Sequence, residues 1–244
     1  MKLTTLLLFI FIVNSITAQD FFLADNQFTT SFYNPRTSRL AFDIHYQNQY
    51  FIKEWNNKGV SASYSKDNYA VYAQFQRKGN SKFSENIFTA IYSHKLSPKL
   101  RVSLGNRSLT VQQQEYKTSL TPLLPFLSIN LKPIEKIEIM VSTETIKGGI
   151  LPDRIDALIK RKFNSKLNIL IGLRFSTGTP FMFSTGVLYK LIDKLDLELN
   201  VNSSETPIQF GIKYKYKTSS IIISSQYHQI LGQSIGAQIQ FTIL

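Results

Sequence analysis

The stretch that decides the fold is Ser234–Leu244, "SIGAQIQFTIL". Ile235, Ala237, Ile239, Phe241 and Ile243 fall on one face, and Gly236, Gln238, Gln240 and Thr242 on the other. A strict period of two over about nine residues is a strand signal, because successive side chains in a strand point to opposite faces. The same alternation recurs upstream. In "KLDLELNVN", Leu195, Leu197, Leu199 and Val201 oppose Asp196, Glu198, Asn200 and Asn202. In "PIQFGIKYKYK", Ile208, Phe210, Ile212, Tyr214 and Tyr216 oppose Gln209, Gly211, Lys213 and Lys215. "KLNILIGLRF" and "KIEIMVSTE" repeat the pattern, the latter with Glu138, Met140 and Ser142 on its second face.

These runs are spaced regularly. Five segments share a basic residue, a tight turn and a new apolar run: "HKLSPKLRVSLG", "NLKPIEKIEIMV", "RKFNSKLNILIGL", "YKLIDKLDLELNV" and "YKYKTSSIIISS". Their turns centre near Pro98, Ile134, Ser165, Asp193 and Thr218. Each interval holds two strands of about ten residues and a loop, so the turns all lie at one end of a run of hairpins. The expected strand cores are 40–48, 58–66, 68–77, 84–94, 99–109, 122–131, 136–146, 153–162, 166–175, 180–190, 194–203, 207–217, 219–229 and 233–243. The opposite loops, "KGGILPD", "STGTP", "SSET" and "ILGQS", are short, and only 112–122 is long enough to reach far.

The composition leaves two ways to bury such a sheet. The 244 residues include no Cys, so disulfide frameworks and thiolate metal sites are excluded. Mean hydropathy is −0.09, which suits a soluble protein and equally a membrane barrel whose strands are half polar. No stretch holds the ~18 consecutive apolar residues of a transmembrane helix. Residues 1–19 read as a secretory signal: Lys2, the apolar run Leu6–Val13, and a cut near Ala18–Gln19. Export makes nucleic acid an unexpected partner for the net charge of +12. Anionic lipid and lipopolysaccharide phosphates are the expected ones, beside the plainer reading of solvated turn lysines.

Alternation does not say which face is inside. A soluble closed barrel of about eight strands fills with side chains, whereas a wider one leaves a lumen that apolar residues alone do not fill. Asp196 and Glu198 beside Lys213 and Lys215 give the second face both signs of charge, as a wet lumen tolerates. Tyr189, Tyr214 and Tyr216 lie on the apolar face near turns, where interfacial aromatics belong. The expectation is an all-β, transmembrane, antiparallel up-and-down β-barrel of about 14 strands, with about 12 the next count. A soluble exported β protein is the alternative.

Motifs of catalysis are missing: no glycine-rich phosphate loop, no zinc-type His pairing, no nucleophile elbow. No cofactor or metal is expected. His45, His94 and His228 fall on different strands, and His228 with Ser224 could be read as a lipid-modifying pair or, more simply, as polar lumen residues. Asp153, Arg154 and Asp156 read as rim charges. Residues 20–39 show no alternation yet hold Phe21, Phe22, Phe28, Phe32 and Tyr33. Such a segment ahead of the barrel at 40–244 packs either in the lumen, as a plug, or on the rim.

"SFYNPRTSRLAF" resembles the "NPA"-containing segment of FadL-like outer-membrane proteins and of the PorV/PorQ barrels of type IX secretion. Asn34 and Pro35 match, and Arg36 stands where Ala is usual. "YHQILGQSIGAQIQF" is similar to the ends of that group. Its Ser234, Gly236, Ile239 and Phe241 resemble the signal read by the barrel-assembly machinery. The resemblance implies an N-terminal segment inside a 14-stranded barrel and carries over no binding residue; a ligand or plug site at Phe28, Phe32, Tyr33, Asn34 and Pro35 is the expectation drawn from the segment's own residues. The resemblance also implies transport of an apolar small molecule or service as a secretion accessory with a secretion-system partner. It carries over no named ligand.

Overall fold

The computed structural model describes residues 39–48, 51, 56–80, 82–113, 116–120, 124–145, 153–203 and 208–243. They form one antiparallel sheet closed on itself. In chain order the strands are β1 (Arg39–Asn48), β2 (Asn56–Lys66), β3 (Tyr69–Gly79), β4 (Phe83–Ser97), β5 (Leu100–Gln113), β6 (Tyr116–Leu120), β7 (Leu124–Ile134) and β8 (Ile137–Glu144). They continue as β9 (Arg154–Lys162), β10 (Leu167–Ser176), β11 (Thr179–Ile192), β12 (Leu195–Asn202), β13 (Ile208–Tyr216), β14 (Ser219–His228) and β15 (Gly232–Ile243). Every expected strand core has its strand. Fourteen strands close the barrel, and β6 is an addition paired only to β5. Its sequence lies in the stretch 112–122, where polar residues give no alternation and only a loop is expected.

Closure is made by β15 against β1, in unbroken register from Leu40↔Ile243 to Asn48↔Ile235. An antiparallel sheet in lipid requires this, since an unpaired edge would leave backbone groups without partners. Besides the five turns legible in the sequence, Asp67 and Asn68 make a sixth at the same end. Local side chains fix the irregular connections. Asn164 Oδ1 accepts hydrogen bonds from the Lys166 and Leu167 amides, both at 2.8 Å, which caps the wide β9–β10 turn. Asn80 Oδ1 does the same for Lys82 and Phe83 before β4.

The barrel is inverted relative to a soluble one. Among the described residues, six hydrophobic side chains are buried against twenty-two polar or charged ones. On β13 the inward Gln209 is 3% exposed, whereas the outward Phe210 and Tyr214 are 41% and 44% exposed. A chain that hides Ser, Asn and Gln while showing Phe, Ile and Leu all round has an apolar solvent outside and a polar one inside. Strands of 8 to 15 residues suit the hydrocarbon thickness. Aromatics ring both ends of the belt: Tyr64, Tyr69, Tyr189, Tyr214 and Tyr216 at the tight-turn end, and Tyr46, Phe175, Phe181 and Tyr227 at the loop end.

Ile139, Ile159 and Ile171 form one outward row across β8, β9 and β10. Ile159→Arg puts a charge into that lipid face and is expected to destabilise the barrel by about 2–4 kcal/mol. Urea unfolding in lipid vesicles checks it. A Cβ at the inward Gly59 would lie 2.5 Å from His45 Cε1 and 2.6 Å from the Phe75 carbonyl oxygen. Gly59 thus lets the His45 ring lie against the wall.

Candidate functional site: the charged lumen

Two charged regions line the lumen. The first is toward the loop end, on β5, β8, β9 and β10. Register sets Glu144 opposite Arg154 and Asp156 opposite Arg174, and all four point inward. Glu144 accepts from Arg107 at 2.6 Å and lies 3.4 Å from Arg154. Asp156 takes Arg154 at 2.7 Å and the Arg174 Nε at 2.7 Å. The result is a chain of alternating sign: Arg107, Glu144, Arg154, Asp156, Arg174. The two carboxylates and Arg174 are nearly enclosed, with side chains 7–8% exposed. Each carboxylate serves two guanidiniums, and such charge-assisted bonds fix the side chains against the wall. Arg101, Ile91 and Phe126, with Arg107, Glu144, Arg154 and Asp156, surround a small cavity of about 50 Å³.

Sequence reading takes Arg154 and Asp156 for rim charges, and the structure corrects this. They alternate with Ile155 and Ala157, so the strand turns them inward. The signal was in the residues: Arg154, Asp156, Leu158 and Lys160 share one face. It was masked because Ala157, Leu158 and Ile159 are consecutive apolar residues, which blur the period. The Arg107–Glu144 contact spans β7 and has no trace in sequence spacing.

The second region lies toward the tight turns. Asp196 faces Lys213 across the β12–β13 pair, and Glu198 faces Gly211. Asp196 also forms an ion pair with Lys215. Lys213 Nζ donates to Gln240 Oε1 at 3.3 Å. These four charges, Asp196, Glu198, Lys213 and Lys215, line one cavity of about 300 Å³ together with Lys160, Lys190, Asn168, Gln238 and Gln240. At its edge Lys190 Nζ lies 2.7 Å from Asp193 in the β11–β12 turn. That hydrogen bond, and the charge behind it, hold the Asp193 carboxyl below its ordinary value.

Small apolar patches interrupt the polar wall. Leu158 and Leu170 pack with Met140 and Leu188, and Ala70, Tyr72 and Ile91 pack with Phe126. Asp43 accepts from the Ser61 hydroxyl and lies 3.9 Å from His45 Nδ1. His228 and Ser224 face the lumen four residues apart on β14, and His228 Nδ1 accepts the Ile230 and Leu231 amides at 3.1 and 3.0 Å. This histidine caps its own turn and does not form the lipid-facing pair that a lipid-modifying reading needs. Among the described residues no cluster of three or more acidic, His or Cys side chains is placed to hold a metal. Phe28, Phe32, Tyr33, Asn34 and Pro35 lie outside the described residues. Ser234 and Gly236 face the lumen on β15, whereas Ile239 and Phe241 face outward and pair with Ile44 and Phe42 of β1.

The path of this closed barrel has solved counterparts. A five-substitution mutant of the Rhodopseudomonas blastica porin is similar in fold over 85% of this chain and 99% of its own, with a TM-score of 0.51 and 8% identity. The fold is porin-like. A triple mutant of the same porin gives a TM-score of 0.50 at 8% identity, again over 85% of this chain and 99% of its own. The KdgM porin gives 0.49 at 9% identity, over 84% of this chain and 99% of its own. No protein-family model matches the sequence, and no curated protein matches it. At such identities the likeness concerns the path of the backbone, and none of the charged residues above is carried over from these proteins.

Proposed function

We propose that the chain is an outer-membrane barrel that passes small polar solutes through its charged lumen. One observation carries this: the inversion of the barrel, with Phe, Ile and Leu outside and Asp, Glu, Lys, Arg, Asn and Gln inside. An apolar belt has its use only in lipid, and a lumen lined with both charge signs has its use only in water. The secretory reading of residues 1–19, cut near Ala18–Gln19, supports an outer-membrane location. So does the terminal strand β15, whose Ser234, Gly236, Ile239 and Phe241 would be read by the barrel-assembly machinery.

The FadL-like version, carriage of an apolar compound, rests on Phe28, Phe32 and Tyr33. The described walls offer such a compound only two small patches, so polar solutes fit them better. A second reading has its own observation. The ion-pair chain from Arg107 to Arg174 crowds the loop end of the lumen. That crowding favours a closed PorV/PorQ-like accessory of a secretion system, with the segment 20–39 as a plug.

Planar-bilayer recording on the refolded barrel separates the two. The transport reading predicts discrete conductance steps in potassium chloride, larger once residues 20–38 are removed. Silence from both the mature and the shortened chain, with folding shown by heat-modifiable mobility, would overturn transport and favour the accessory.

A further inference from the structure

The cavity at the tight-turn end has donors that its own acceptors do not satisfy. We infer that it binds a small hydroxylated oxyanion, a sugar acid or a sugar phosphate, with Lys213 Nζ and Gln238 Nε2 as the anion's donors. This names the solute class of the lumen and rests on the transport reading above.

Four ammonium groups line the cavity against two carboxylates. Three of the four have acids of their own: Lys160 lies 3.9 Å from Glu138, Lys190 lies 2.7 Å from Asp193, and Lys215 pairs with Asp196. Lys213 has no carboxylate within ion-pair distance among the described residues. Its direct contact is Gln240 Oε1, which also accepts from the Ser220 hydroxyl, at 3.3 Å in each case. Gln240 thus positions the ammonium without neutralising it.

The second donor is independent of the first. Gln238 is 9% exposed, and its Nε2 has no hydrogen-bond partner among the described residues. An enclosed amide donor without an acceptor is costly, and a bound acceptor removes the cost. Register brings the two donors together. Lys213 of β13 and Gln238 of β15 are both cross-strand partners of Ile222 on β14. They flank that side chain at one level, about two strand spacings or ~10 Å apart at Cα. Long side chains reaching inward from such positions converge over Ile222, a floor that offers the anion no competing acceptor. On the other side of Lys213 stands Asp196, whose Oδ1 is buried without a hydrogen-bond partner. It is an acceptor for solute hydroxyls, which is why a hydroxylated anion fits better than a bare one.

Calorimetric titration of the detergent-folded full chain tests this, with gluconate as the carboxylate probe and glycerol phosphate as the phosphate probe. Chloride and sucrose serve as controls. Saturable binding is expected for either or both anionic probes, and the stronger of the two identifies the class. A single charged hydrogen bond lost in Lys213→Gln should weaken it about tenfold or more. Gln238→Ala should weaken it less. Lys58→Gln, on the outer face of β2 at the other end, should leave it unchanged. Heat-modifiable mobility shows that each variant is folded. Absence of saturable binding by the parent, or equal affinity in Lys213→Gln, would overturn the site. Conductance without binding would remove the site and leave the transport reading, whereas binding without conductance would keep the site and remove transport.

Discussion

Asp156→Ala is expected to destabilise the folded barrel by about 3 kcal/mol, the lower part of the range for breaking a buried ion pair by removing one partner. The carboxylate holds Arg154 and Arg174 at once, and Arg174 is enclosed. Loss of Asp156 leaves the Arg174 guanidinium without its 2.7 Å partner. Arg154 retains Glu144 at 3.4 Å, which keeps the penalty below the sum of two lost pairs. Replacing both partners, as Asp156→Leu with Arg174→Leu, should cost less than the single change, because no charge is then stranded. Urea unfolding of the three proteins in lipid vesicles reads the order. A double variant less stable than Asp156→Ala would contradict the account of the network.

The other large effect belongs to β15. Deleting Ile239–Leu244 should abolish membrane insertion and the heat-modifiable species altogether. Residues 239–243 pair with Leu40–Ile44 of β1 on one side and, through Gln240 and Phe241, with Ser220 and Ser219 of β14 on the other. Without them the tight-turn half of the seam is open, and the exposed amides of β1 would face hydrocarbon. The same segment carries Ile239 and Phe241 of the proposed assembly signal. Single changes at these two positions separate the roles, since Ile239→Ala keeps the backbone pairing. Normal insertion of the shortened chain would refute both.

The fold was legible because it depends on one variable, the period of two. The turns at Pro98, Ser165, Asp193 and Thr218 and the alternating runs between them placed the barrel strands in order. The inward direction was legible where charge marked a face, as at Asp196 and Lys213, which the structure makes cross-strand partners. Legibility failed where function depends on distance through space. Arg107 meets Glu144 across β7, a relation set by the register of two strand pairs rather than by spacing in the chain. Arg154 and Asp156 sit beside "ALI", where consecutive apolar residues hide the alternation. β6 carries too few apolar residues to announce itself. The unpaired Gln238 amide is a matter of side-chain geometry, and a Gln on a lumen face has no sequence signature of being unsatisfied.

The central claim is that the polar face of these strands is wet and the apolar face lies in lipid. The absence of native Cys makes it directly measurable. Single cysteines at Lys213, Lys215 and Ile222, on the lumen face of β13 and β14, and at Phe210, Tyr214, Ile221 and Ile223, on the outer face, are reacted in lipid vesicles with a charged, membrane-impermeant maleimide. The account predicts labelling of the first three and protection of the other four, a period of two along each strand. Labelling of the outer set with protection of the lumen set would contradict it.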